Sequence, residues 1–84
     1  MSFIVNVHPI INGNIELLRV MKDEGQDIPK LNICGRYPIH FAVEMKNQEY
    51  IKFLVDECGS SLDLKDCQGR TANDILKYQR ENIL

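Results

Sequence analysis

The sequence predicts an all-α repeat protein, an α-solenoid in which helix-turn-helix units stack and loops or β-hairpins project from one side. Three observations predict it. The segment GNIELLRVMKDEG (13–25) lies over KNQEYIKFLVDECG (46–59), with Asn14 on Asn47, Glu16 on Glu49, Leu18 on Ile51, Met21 on Leu54 and Asp23 on Asp56, all at an offset of 33. Two turn signals, NICGR (32–36) and DCQGR (66–70), fall one repeat apart. The third observation is apolar surface too broad for a helix with one wet face. Ile51, Leu54, Val55 and Cys58 recur at helical spacing, and Tyr50 and Phe53 widen their stripe. A unit that is apolar on both sides buries its surface only by stacking on copies of itself.

The elements follow in order. Ser2 is placed to cap a first short helix running toward Asn12, but Pro9 removes a hydrogen bond and crowds the preceding turn. The helix is therefore expected to end near His8, and the β-branched pair Ile4-Val5 leans toward extended backbone. Asn14 caps a second helix, with Ile15, Leu17, Leu18 and Met21 on its apolar side. Gly25 ends that helix in the left-handed conformation. Gln26 to Ile33 forms a projecting loop anchored by Ile28, and Leu62 fills the equivalent place in Gly59 to Gln68. Asn32-Ile33-Cys34-Gly35 has the residue preferences of a type I turn.

Pro38 opens the next short helix, to about Met45, where its missing N–H costs nothing. Asn47 caps the helix after it. Beyond Cys58 one extra residue shifts the offset to 34, so that Gly25 matches Gly59, Asn32 matches Asp66, Gly35 matches Gly69 and Arg36 matches Arg70. Thr71 with Asp74 reads as a capping box. Ile75, Leu76 and Tyr78 of that last helix are expected to face the preceding repeat, with Lys77, Gln79, Arg80, Glu81 and Asn82 turned outward. The division is one domain over 1–84, with repeats at about 1–33 and 34–67 and a partial capping repeat over 68–84.

Composition narrows the function. Eighty-four residues suit one small domain with a marginal core. A net charge of −2 gives no reason to expect nucleic acid as a partner. No apolar run approaches the roughly 20 residues that span a bilayer, so no membrane partner is expected. Three cysteines, Cys34, Cys58 and Cys67, are spaced like no zinc signature and read as free thiols of a cytoplasmic or nuclear protein. No phosphate-binding glycine loop, HExxH or GxSxG occurs, so neither an enzyme nor a cofactor is expected.

The run Gly35-Arg36-Tyr37-Pro38-Ile39-His40-Phe41-Ala42, at a period of 33, resembles the ankyrin repeat, whose signature is T-P-L-H-x-A. Pro38, Ile39, His40 and Ala42 fit it, and Gly69-Arg70-Thr71-Ala72 begins another copy. Tyr37 stands where the family has Thr, and Asp74 where it has His. The resemblance implies a stack that binds other proteins through its loop tips and the concave face of its short helices. Carried over by position, that face is Ile33, Cys34, Arg36, Glu44 and Met45 from repeat two, with Cys67, Gln68, Arg70 and Tyr78 from repeat three. Arg36 and Arg70 would grip carboxylates of an acidic partner, unless they are simply solvated. His40 would bridge loop backbones between repeats, a structural role.

The function expected is thus a protein-interaction module, an adaptor, scaffold or inhibitor. The alternative is a redox-sensitive or metal-holding domain using Cys34, Cys58 and Cys67. Loop tips on the order of 10 Å apart would keep Cys34 and Cys67 from sharing one ion. His8, beside a proline, reads as incidental. Phe3, Ile4 and Val5 form an apolar end through which the stack could associate with itself.

Overall fold

Asn14 and Asn47 start their helices in the same way. In the computed structural model, which describes residues 8–81, the Asn14 side-chain oxygen accepts the Leu17 N–H at 3.3 Å and the Asn47 oxygen accepts the Tyr50 N–H at 3.2 Å. These caps open α2 (Ile15–Asp23) and α4 (Gln48–Lys52), which follow the short helices α1 (His8–Asn12) and α3 (Pro38–Glu44). A 3-10 turn at Ile28–Lys30 lies between α2 and α3, and α5 (Ala72–Glu81) completes the order. Among the described residues there is no strand; the one bridge joins Ile33 to Arg36 across a hairpin. The fold is the all-helical repeat that the periodicity predicts.

The links inside the two helix pairs are also repeats of each other. Gly13 and Lys46, 33 residues apart, both have positive φ, +71° and +56°. A side chain begun at Gly13 would lie 3.0 Å from both Asn47 Nδ2 and a ring carbon of Tyr50, so a glycine lets the first link approach α4. Tyr50 is fully buried there, and its hydroxyl donates to the Ile10 carbonyl at 2.8 Å. Burial, and then the neighbouring Cys58, push that hydroxyl above its ordinary titration range, which keeps it a donor. Tyr50→Phe is expected to cost about 1–2 kcal/mol by taking this donor from a buried carbonyl. An unchanged urea midpoint would show that water replaces it.

The extra residue of the second repeat has a definite place. After α4 the helix widens into a π turn over Phe53–Glu57, where the Cys58 N–H reaches back to the Phe53 carbonyl. The helix ends then coincide. In repeat one the Gln26 N–H closes on the Met21 carbonyl, and in repeat two the Ser60 N–H closes on Leu54, the counterpart of Met21, across one residue more. A π turn absorbs a single insertion without breaking the helix.

The core runs through the stack: Ile10, Leu18 and Ile28 from the first unit, Ile39, Val43, Tyr50 and Leu54 from the second, Ala72 and Ile75 from the third. Ile28 is the inward anchor expected of it, and Leu62 packs against the core from its equivalent loop.

Four expectations are corrected. Pro9 does not end α1: it lies buried in the first turn of the described helix, where its missing N–H removes no bond within that helix. Leu17 is 45% exposed, because its repeat-two counterpart Tyr50 is covered by repeat one, and no described unit precedes repeat one to cover Leu17. Tyr78 is 68% exposed rather than turned to the preceding repeat; Ile75 and Ala72 fill that side of α5. The turn at NICGR is not type I, as the next section describes. The expected Ser2 cap and the apolar end at Phe3, Ile4 and Val5 lie outside the described residues.

Candidate functional site

Two fingers and two short helices form the candidate surface. In the first finger Ile33 and Arg36 exchange both backbone hydrogen bonds, at 2.8 and 3.0 Å, around Cys34 and Gly35. Both central residues have positive φ, +54° and +82°. This is the twist of a type I′ hairpin, and Asn32 supports it by accepting the Gly35 N–H at 2.9 Å.

The second finger is built otherwise. The buried Asp66 carboxylate accepts the N–H groups of Gln68 and Arg70, both at 2.9 Å, while the Arg70 guanidinium lies 3.1–3.2 Å from its other oxygen. Burial alone would raise the Asp66 pKa, but the Arg70 and Gln68 N–H bonds and the guanidinium outweigh it and hold the carboxyl below its ordinary value. The sign for stability follows. A depressed folded-state pKa contributes stability above the unfolded value of about 3.9, and this is lost as pH falls through the folded value. Asp66→Asn is therefore expected to lower stability at neutral pH and to flatten its fall below about pH 4. Parallel acid curves for the variant and the natural chain would remove Asp66 from this role.

His40 joins the fingers to the helices. It is fully buried; Nδ1 accepts the Tyr37 N–H at 3.2 Å and Nε2 donates to the Arg70 carbonyl at 3.0 Å. One ring thus holds the start of α3 and the base of the next finger. In the last unit Asp74, at the position of His40, accepts the Thr71 N–H while Thr71 Oγ1 accepts the Asp74 N–H, both at 3.0 Å. The capping box expected at Thr71 is formed.

The nine expected contact residues divide into groups. Cys34, Cys67 and Gln68 are exposed on the fingers, and Ile33 is half-buried at the base of the first. Arg36 lies over the Phe41 ring, 4.8 Å from its centroid, and pairs with Glu44. Arg70 pairs with Asp66. Neither guanidinium is simply solvated; each already has a carboxylate within the chain. Glu44, Arg70 and Tyr78 meet in a groove of about 670 Å³ between α3 and α5, completed by Asp74, Ile75 and Gln79. Met45, 40% exposed, caps the end of α3. Sequence reading missed Gln79, whose amide donates to the Val43 carbonyl at 3.0 Å and locks α5 onto the end of α3. Its only signal was a glutamine on a helix taken as an outer surface.

The three thiols do not converge among the described residues. Cys58 is half-buried at the end of the π turn, and burial pushes its pKa up. Among the described residues no three metal-ligating side chains converge. The expected separation of the fingertips is corrected, however. The Cys67 N–H donates to the Gly35 carbonyl at 2.8 Å, so the tips touch. Gly35 allows this because the space of its missing side chain is filled by Cys67.

No described helix is long and apolar enough to cross a membrane. A family model described as ankyrin repeats (3 copies) matches residues 7–78. The chain is 35% identical over 78 residues to the NF-kappa-B inhibitor cactus of Drosophila yakuba, a match covering 86% of this chain and 16% of that protein. The same protein of Drosophila melanogaster gives the same figures. The potassium channel AKT1 of Arabidopsis thaliana is 30% identical over 67 residues, 80% of this chain and 8% of that protein. The chain thus spans 16% or less of the length of these curated relatives.

Proposed function

The chain belongs to the ankyrin-repeat family, and from that premise we propose that it is a non-catalytic module that binds one protein partner against the α3–α5 groove and the adjoining fingers. The observation that carries this reading is the exposure of Tyr78, at 68%, in a groove walled by Glu44, Arg70 and Asp74. An exposed aromatic over an apolar floor, here Ile75, ringed by polar groups is the pattern of an interface anchor. The relative cactus is named an inhibitor, and occupying a partner's surface is a way in which a module without catalytic groups can inhibit. A cytoplasmic or nuclear location belongs to the same proposal, supported by three free cysteines.

The pairing of both arginines inside the chain moves the expected centre of binding from Arg36 and Arg70 toward Tyr78. The test begins with crosslinked capture of a partner and continues with titration of that partner against variants. Tyr78→Ala is expected to weaken binding about tenfold or more, the effect of losing a modest hot spot. Lys52→Glu, on α4 in the separate cleft between the second helices, is the control. If Lys52→Glu weakens binding and Tyr78→Ala does not, the partner binds the second helices and the proposal is wrong.

A further inference from the structure

We propose that Cys34 and Cys67 form a redox modification site, which a hydroperoxide closes into a disulfide between the two fingertips and a thiol reductant reopens. The fold brings them together through Gly35. The Cys67 N–H donates to the Gly35 carbonyl at 2.8 Å. Cβ and Sγ of Cys67 each lie 2.6 Å from the point where a side chain at Gly35 would begin, and its Cα lies 3.8 Å from that point. The Cys67 sulfur therefore rests on the residue next to Cys34, one Cα step of about 3.8 Å along the chain. A disulfide needs Cα atoms roughly 4.4–6.8 Å apart, and the backbone of Cys67 already meets the first finger at the neighbour of Cys34.

A second observation concerns Cys34 itself. It holds φ at +54° in the type I′ turn, a position that Asn, Asp or Gly ordinarily fills. A cysteine gains nothing there conformationally, and the strained residue is also an exposed thiol. Cys67 is exposed as well, so an oxidant reaches both sulfurs. The third thiol, Cys58, lies among Lys22, Glu57 and Arg19 of the second helices.

The chemistry balances with a hydroperoxide as oxidant. One thiolate attacks the terminal peroxide oxygen; the O–O bond breaks, the alkoxide leaves with the thiol proton as an alcohol, and a sulfenic acid forms. The second sulfur attacks the sulfenic sulfur, the S–S bond forms, the S–O bond breaks, and hydroxide leaves with the second proton as water. Two electrons pass from the sulfurs to the peroxide. For hydrogen peroxide both oxygen products are water.

The test is mass spectrometry of the reduced 84-residue chain after brief exposure to hydrogen peroxide. Cys58→Ser is expected to lose two hydrogens, about 2 Da, as a monomer and to regain them with reductant. Non-reducing digestion should then recover the peptides of Cys34 and Cys67 linked. Cys34→Ser and Cys67→Ser should show no such loss. The proposal is overturned if either of these two variants still forms an internal disulfide. It is equally overturned if Cys58→Ser only gains oxygen or links chain to chain. The readout is a mass, so failure here leaves the partner-binding proposal standing.

Discussion

Replacing His40 by Ala is expected to bring the stack close to unfolding. The ring is fully buried and makes two backbone hydrogen bonds, one from the Tyr37 N–H and one to the Arg70 carbonyl. The half-buried Tyr37 N–H loses its acceptor, which costs about 1–3 kcal/mol, the Arg70 carbonyl loses one of its two donors, and the space of the lost ring adds to this. A total of about 3–5 kcal/mol is a large part of the net stability of any small domain. Urea unfolding followed by circular dichroism measures it directly. The effect should extend beyond α3, because the same carbonyl of Arg70 also accepts the Asp66 N–H at 2.9 Å and so closes the second finger. A midpoint equal to that of the natural chain would mean that His40 does not hold the repeats together.

The second large effect is expected at Gly35, and the structure makes it unequal to its repeat counterpart Gly69. Both glycines have positive φ, +82° and +77°, so valine at either is strained by its backbone. At Gly69 nothing lies within 4 Å of the new side chain's first atom. At Gly35 the Cβ and Sγ of Cys67 lie 2.6 Å away. Gly69→Val should therefore cost about 1–2 kcal/mol, the backbone term alone. Gly35→Val should cost roughly 3 kcal/mol or more, because the crowding adds to that term and pushes the second finger off the first. Thermal melts of the two variants, side by side, decide the matter. Equal losses would show that the fingertip contact is not maintained in solution.

Much of this protein is legible in its residues because the signals are local and come twice. Asn14 and Asn47 announce their helices, since a cap needs only a side-chain oxygen and the amides two or three residues ahead. Thr71 and Asp74 announce α5 in the same way. The buried Ile28 and Leu54 follow from periodicity. The candidate surface was less legible. Arg36 and Arg70 look alike in sequence, one repeat apart, yet one lies over Phe41 beside Glu44 and the other is bound to a buried Asp66. Their partners are chosen by side-chain packing, which repeat alignment does not carry. Asn32 and Asp66 likewise share a repeat position but accept from different amides, so the first finger is a two-residue hairpin and the second a wider turn.

The sequence by itself determined the period, the starts of α2 to α5, the left-handed turn at Gly25 and the presence of one extra residue in repeat two. Each of these depends on neighbours within about one turn or on direct comparison of two copies of the chain. Only the tertiary structure decided where the extra residue goes: into the π turn at Phe53–Glu57, which keeps Leu54 in the core and returns Ser60 to the register of Gln26. It also decided that Tyr50 reaches Ile10, that Gln79 reaches Val43, and that Cys67 rests on Gly35. These contacts join residues 32 to 40 positions apart, and their geometry is set by how closely one layer can approach the next. That approach is a property of packed surfaces, which no single layer contains.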